Sequence, residues 1–241
     1  MLSWEDTGII LSLRPHGENG GVVTLLTREH GRAAGYVYGI SSGRVRGTLE
    51  IGNIVSARWQ AKSHDQLGTY TLELETSHTA DVIDDPVKLT ALQSACAVAD
   101  KTLPERESHP GVFEGMRALM AAFATPLWAA SYIYWEIGLL RELGFGLDLA
   151  RCASTGTGEN LLYVSPRSGC AVSAAAGEEY KDRLLHLPPF LRGEARFEDE
   201  DILHGLQLTG HFLLHRVFSQ ANVNLPEPRL RLEEKYGRLA K

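Results

Sequence analysis

The feature that most constrains this chain is a change of period near residue 80. Before it, short β-branched runs alternate with clusters of turn formers. The runs are residues 7–13 (TGIILSL), 22–27 (VVTLLT), 33–38 (AAGYVY), 53–60 (NIVSARWQ) and 70–75 (YTLELE). Within 53–60, Ile54, Ser56, Arg58 and Gln60 face opposite to Val55, Ala57 and Trp59, which is the two-residue period of a half-buried strand. Turn formers fill residues 14–21, and residues 39–43 (GISSG) read as a flexible connection leading through 47–50 into the next strand. After Asp84-Asp85-Pro86, a helix-start signal, the pattern becomes helical. Helices are expected over 88–101 and 112–124, and a third from Thr125-Pro126.

Five strands in about eighty residues predict a small closed barrel. An oligonucleotide-binding (OB) barrel is the first choice at that size, and an SH3-like barrel gives much the same pattern. The expected fold class is therefore α+β in more than one domain. An OB-fold barrel spans 1–80 and an α-helical domain spans 81–241.

Residues 131–173 set the character of the second domain. Tyr132, Trp135, Ile137, Leu139, Leu140 and Leu143 recur near a helical period and leave Glu136, Arg141 and Glu142 on another side. Gly144 falls where a left-handed C-cap is expected. Cys152-Ala-Ser-Thr155-Gly156 then reads as a tight knuckle, followed by short strands at 161–164 and 170–172. A helix running into this insert, residues 145–173, resembles a zinc ribbon without its metal. Further helices are expected over 174–185, 199–221 and 230–239, the second opened by the acidic run 198–201, which complements a helix N-terminus.

The chain of 241 residues carries 24 Lys and Arg against 30 Asp and Glu, a net charge of -6. That argues against a uniformly basic nucleic-acid binder and leaves room for a local basic face. Three cysteines, Cys96, Cys152 and Cys170, give no disulfide framework and point to a reducing cytoplasm. No signal pattern and no apolar run near the ~20 residues of a membrane span is present.

No Gly-x-Ser-x-Gly elbow, Walker loop, dinucleotide Gly-x-Gly-x-x-Gly or carboxylate-rich metal site occurs, so no enzyme is expected. A four-ligand zinc site needs two Cys-x-x-Cys pairs or an equivalent with His. Here Thr155 follows Cys152 by three residues and Ser173 follows Cys170 by three, so neither metal nor cofactor is expected. His204, His211 and His215 are spaced by seven and four on one helical face. Without HExxH, they read as surface or partner-contact histidines.

Between residues 28 and 62, Arg28, Arg32, Arg44, Arg46, Arg58 and Lys62 face only Glu29 and Glu50, a local excess of four positive charges. Tyr36, Tyr38 and Trp59 are interleaved. Cations and aromatics on one barrel face would track phosphates and stack bases. The same residues also fit a solvated barrel surface with its aromatics in the core, and residue types do not separate the two. Alternation puts Arg58 and Trp59 on opposite faces. Trp59 is then the core residue, and Tyr36 and Tyr38 are the stacking candidates.

Seven pieces carry a family resemblance: residues 13–18 (LRPHGE), 22–32 (VVTLLTREHGR), 49–53 (LEIGN), 67–70 (LGTY), 136–145 (EIGLLRELGF), 163–166 (YVSP) and 211–218 (HFLLHRVF). In that order they resemble the bacterial recombination mediator family RecO along nearly the whole chain. The resemblance implies an OB barrel followed by a helical domain with a ribbon-like insert. It implies binding of single- and double-stranded DNA, strand annealing, and loading of recombinase onto protein-coated single strands. RecR and the acidic C-terminal tail of the single-stranded-DNA-binding protein are the implied partners, in a cytoplasmic, nucleoid-associated setting. The apolar helix faces near Arg141 and Arg216 are the expected seat of that tail. Some family members hold zinc with four cysteines; Thr155 and Ser173 stand where further ligands are expected. The connection 39–43 is less basic than in many relatives, which shifts the expected DNA contacts to Arg44 and Arg46. A protein-interaction adaptor of the same fold with weak DNA binding is the alternative, and a small hydrolase or transferase with an unread site is a third reading.

Overall fold

The computed structural model describes residues 2–63, 66–194 and 196–241. They form two compact units, Met1–Ala124 and Thr125–Lys241.

The first unit is built on strands β1 (Leu2–Pro15), β2 (Gly20–Thr27), β3 (Gly31–Tyr38), β4 (Ile54–Ala61) and β5 (Thr69–Thr76), closed in the order β1-β2-β3-β5-β4. β1 makes closure possible. Its first half, Leu2 to Ile9, pairs antiparallel with β4, and its second half, Gly8 to Pro15, pairs with β2 across a bulge between Ile10 and Ser12. A bulge bends a strand and sharpens its twist, so one strand serves both sides of the barrel. The circuit is completed by a parallel contact, Tyr36 to Thr69.

Alternation places Val55, Ala57, Trp59 and Ala61 of β4 inward and Ser56, Arg58 and Gln60 outward. Trp59 and Tyr70 fill the interior with Ile10, Val23, Leu25 and Val37. The inward positions of β3 are correspondingly small. A Cβ on Gly35 would lie 2.4 Å from the Tyr70 ring, and Tyr70 Oη donates to Ala33 O at 3.1 Å.

Residues 39–50 depart from expectation. Instead of a flexible connection entering a strand, they hold a helix, α1 (Gly43–Thr48). The Ser42 hydroxyl accepts from Val45 N–H at 3.4 Å, an N-cap bond, and buried Leu49 anchors the far end in the barrel core. Arg44 and Arg46 are therefore exposed helix residues rather than a lead-in to a strand.

Helices α2 (His78–Val82), α3 (Pro86–Thr102) and α4 (Pro110–Ala122) complete this unit. Asp85 caps α3 by accepting from Val87 and Lys88 N–H. α3 packs on β1 and β2, which is why residues 81–124 join the barrel. Between α3 and α4, Glu105 bridges to Arg32 at the start of β3.

The second unit opens with α5 (Trp128–Glu142). Gly144 follows at φ 84°, the left-handed stop. Strands β6 (Leu161–Val164) and β7 (Ala171–Ser173) pair antiparallel. The helix expected over 174–185 is shorter: α6 (Ala174–Gly177), a 3-10 turn Glu178–Arg183, and a third strand β8 (Leu185–His186) on the free edge of β6.

The helix expected over 199–221 also breaks. α7 (Asp199–Phe212) runs into a π turn, Leu213–Val217, and a 3-10 turn, Phe218–Ala221. The wider turn closes Phe218 N–H onto Leu213 O. Leu213 and Phe218, at the two ends of that turn, are both buried. α8 (Glu227–Leu239) ends the chain.

Glu136 differs from expectation too. It is fully buried, because Arg229 of α8 meets it with Nε at 2.6 Å from Oε1 and Nη2 at 3.2 Å from Oε2. The hydroxyls of Tyr132 and Thr209 donate to the same carboxylate. Among the described residues, no helix is long and apolar enough to cross a membrane.

Candidate nucleic-acid interface

A groove of about 860 Å³ opens on the barrel unit. Its floor is the outward face of β2 and β3, with Val22, Tyr36 and Tyr38. One wall is the β1–β2 loop at His16, and the other is the β4–β5 connection at Lys62, Gln66, Leu67 and Gly68.

Tyr36 Oη donates to His16 O at 3.2 Å. Its ring lies over Gly20, where a Cβ would come within 1.8 Å of the hydroxyl, so Gly20 is required by that approach. Tyr38 stands edge-on to Tyr36 with centroids 4.8 Å apart and is 71% exposed. An exposed aromatic ring can stack a base while a cation beside it meets a phosphate. The α1 connection begins at the same wall, since Gly39 N–H donates to Asn19 O at 2.7 Å.

The six cations are not gathered together. Lys62 lines the groove with Tyr36 and Tyr38, and Arg44 and Arg46 are exposed on α1. Arg28 is bound instead to Glu114 of α4 at 2.8 Å. Arg32 donates to Leu103 O at 2.8 Å and meets Asp100 at 3.5 Å. Arg58 pairs with Glu5 across β1 and β4 at 2.6 Å. Trp59 is buried, with Nε1 donating to Leu67 O at 3.0 Å.

In the helical unit, Arg141 is exposed at the end of α5. The Arg216 guanidinium lies 4.9 Å from the centre of the Phe212 ring, and Nη2 donates to Arg167 O at 3.0 Å. This is a cation on an aromatic face beside the β6–β7 turn.

The histidines do not converge. His204 stacks on His186 at 4.3 Å and His211 meets His215 at 4.4 Å. Burial, and then the neighbouring imidazole, lowers the pKa of both His204 and His211.

At the knuckle, Ser173 N–H lies 3.3 Å and its Oγ 3.5 Å from Cys152 Sγ. Burial pushes the Cys152 thiol up, but hydrogen bonds from Ser173 and Thr155 outweigh it and hold the thiol down at about 6. Hydroxyl and amide donors thus surround the sulfur. Such a set satisfies a thiolate by hydrogen bonding and does not fit Zn²⁺, which takes thiolate, imidazole or carboxylate ligands. Among the described residues, no group of three or more His, Cys, Asp and Glu side chains is arranged to hold a metal ion.

Residues 1–78 match the family model described as recombination protein O, N terminal, and residues 83–223 match recombination protein O, C terminal. The chain belongs to the RecO family. A DNA repair protein RecO of Rhodospirillum centenum is 52% identical over 98% of this chain and 95% of its own length. Those of Caulobacter sp. (strain K31) and Phenylobacterium zucineum are 46% and 48% identical, over 98% and 95% of both partners respectively. The two family models meet between residues 78 and 83, just after β5 of this RecO-family chain, whereas chain packing divides it after Ala124.

Two features of the barrel escape the sequence. His30 is tied to Asp6 at 3.0 Å and stacks on Trp4 at 4.3 Å. Arg106 lies 5.4 Å from the centre of the Trp59 ring. No local motif signals either, because the partners are 24 and 47 residues apart along the chain.

Proposed function

We propose that this chain is a non-catalytic recombination mediator of DNA repair. It binds single- and double-stranded DNA through the barrel, anneals complementary strands, and helps to load recombinase onto protein-coated single strands. The observation that carries the reading is the groove itself. It lies on the β2–β3 face between the β1–β2 and β4–β5 connections, the location at which OB barrels take oligonucleotides. It holds Tyr36, Tyr38 and Lys62 together. Family membership and the names of the relatives, DNA repair protein RecO, support the same role. RecR and the acidic tail of the single-stranded-DNA-binding protein are the partners, the tail seated near Arg141 and Arg216. The insert acts as a ribbon held by packing, and the cellular setting is cytoplasmic, at the nucleoid.

Contacts to phosphates and base faces carry little sequence preference. Replacing Arg44 and Arg46 together by Ala should weaken binding to all sequences alike. It should also lower the salt slope by roughly one to two units, about one for each phosphate left without its cation. Salt-titrated binding of a single-stranded oligonucleotide reads both. An unchanged affinity and slope would move the DNA site off this face. The ion pairs of Arg28, Arg32 and Arg58 would then favour the protein-interaction adaptor.

A further inference from the structure

A second cavity, of about 390 Å³, opens on the barrel unit, walled by Trp4, His30, Trp59 and Arg106, with Glu29 and Ser108 also lining it. Its aromatic walls form a ladder. His30 stacks on Trp4 at 4.3 Å and 10°, and Trp4 stacks on Trp59 at 5.6 Å and 13°. Tyr70 meets Trp4 edge-on at 5.9 Å.

The ladder is held in place from behind. Asp6, with a side chain only 4% exposed, accepts from Glu29 N–H at 2.8 Å, His30 N–H at 3.3 Å and His30 Nδ1–H at 3.0 Å. The imidazole is thus fixed before any ligand arrives. Arg106 has φ 60°, a left-handed conformation that costs free energy in a residue with a Cβ and persists where the surroundings impose it. Here its N–H donates to Arg32 O at 2.8 Å and its Nη2 to Gln66 O at 3.1 Å.

The two cavities share a wall. Gln66, Leu67 and Gly68 line the groove on one side. On the other, Gln66 O accepts from Arg106, Leu67 O accepts from Trp59, and Gly68 presses so closely on Trp59 that a Cβ would lie 2.3 Å from the ring.

We propose that this cavity takes one unstacked nucleobase of a single strand whose neighbouring nucleotides occupy the groove, the strand crossing the 66–68 wall. The inference rests on the DNA-binding reading above and extends it by a defined base site. A base, not a phosphate, is what the lining suits. Trp4 is sandwiched between His30 and Trp59, so the ring left for a base to stack on is the outer one of the ladder, His30, whose side chain is 39% exposed. Glu29 repels an anion, and the charge of Arg106 is already engaged by an indole face and a carbonyl. Every base has a π-face, so occupancy requires an unpaired base and tolerates any sequence.

The test uses the full chain and a single-stranded oligonucleotide long enough to span both cavities, alongside a duplex of the same length. His30→Ala should weaken single-strand binding about 5- to 150-fold, the range for removing one base–aromatic stack. It should leave duplex binding and the salt slope unchanged, because every phosphate keeps its cation. Trp4→Ala, which removes the ring that His30 stacks on, should act in the same direction and serves if His30→Ala fails to fold. In the unaltered protein, one abasic position walked along the strand should reproduce the loss at a single register, and at that register the variants should add nothing further. Equal single-strand affinity in a folded variant, a reduced salt slope, or indifference to the abasic position would overturn the base site while leaving the groove reading intact. Failure of the unaltered chain to bind any single strand would overturn both.

Discussion

Each cation of the 28–62 stretch keeps contact with water, whereas in the helical unit Arg229 is withdrawn from it entirely. The contrast lies in the partners. Arg58 and Glu5 form a short pair with side chains 59% and 67% exposed, and pairs of that kind contribute about 0–1 kcal/mol. Arg229 has no solvent to fall back on. Its guanidinium donates to both oxygens of Glu136, to Leu206 O at 2.6 Å and to Glu233 at 3.1 Å. Burial acts against its charge and Glu136 more than offsets that, so its pKa is raised. In the barrel unit the charges stay at the surface, Arg28 and Arg58 in solvated pairs and Arg44, Arg46 and Lys62 exposed. In the helical unit charge fastens α5, α7 and α8 to one another, through Glu136, Thr209 and Arg229.

The largest expected effect follows from that difference. Arg229→Ala leaves Glu136 buried without its counter-charge and should cost about 3–5 kcal/mol, measured by denaturant unfolding. Replacing both partners by apolar residues of similar volume, Arg229→Met with Glu136→Leu, should recover most of the loss, because the desolvation cost disappears with the charges. Arg58→Ala should change stability by no more than about 1 kcal/mol. Equal losses at Arg229 and Arg58 would erase the contrast between the units.

A second comparison sets two buried cysteines against each other. Burial pushes the Cys96 thiol up to about 12, with the Asp100 charge adding to it. Cys152 sits at about 6, because hydrogen bonds from Ser173 and Thr155 outweigh its burial. A thiol starts near 9, so the folded state of Cys152 binds its proton less tightly than the unfolded state does. The resulting stabilisation is complete above about 9 and is lost as pH falls through about 6. Ultraviolet thiolate absorbance, referenced to Cys152→Ala, should titrate near the lower value. Ser173→Ala removes the hydroxyl donor, should move that titration upward, and should flatten the pH dependence of stability. A titration near 9 in the unaltered protein would refute it.

The barrel is largely legible in the sequence because one face of each strand is apolar. The alternation of β4 fixes which of Arg58 and Trp59 points inward. The apolar run announces β1 only from Thr7, since Trp4, Glu5 and Asp6 interrupt it; their reason for being there is pairing with β4 and His30, neither local in sequence. α1 is hidden by its glycines. In the helical unit, Glu136 has the look of a surface residue because period alone cannot tell a solvated face from one that meets Arg229, 93 residues away. The groove is half legible. Tyr36, Tyr38 and Lys62 come together, but charge counting cannot foresee that Glu114 and Asp100, far along the chain, engage Arg28 and Arg32.

That last point gives the smallest and most local test of the comparison. Lys62 lines the groove and is exposed. Arg28 is also exposed but is already bound to Glu114. If the groove holds the strand, Lys62→Ala removes about one phosphate contact and should lower the salt slope of single-strand binding by about one unit. Arg28→Ala, equal in net charge change, should leave the slope where it was, because the partner it gives up is a carboxylate of the same chain. A general attraction between DNA and a less acidic protein would respond to both substitutions alike, since it depends on net charge and not on position. Equal slopes for the two variants would therefore remove the groove's claim to specific phosphate contacts, while a difference of about one unit would assign one of them to Lys62.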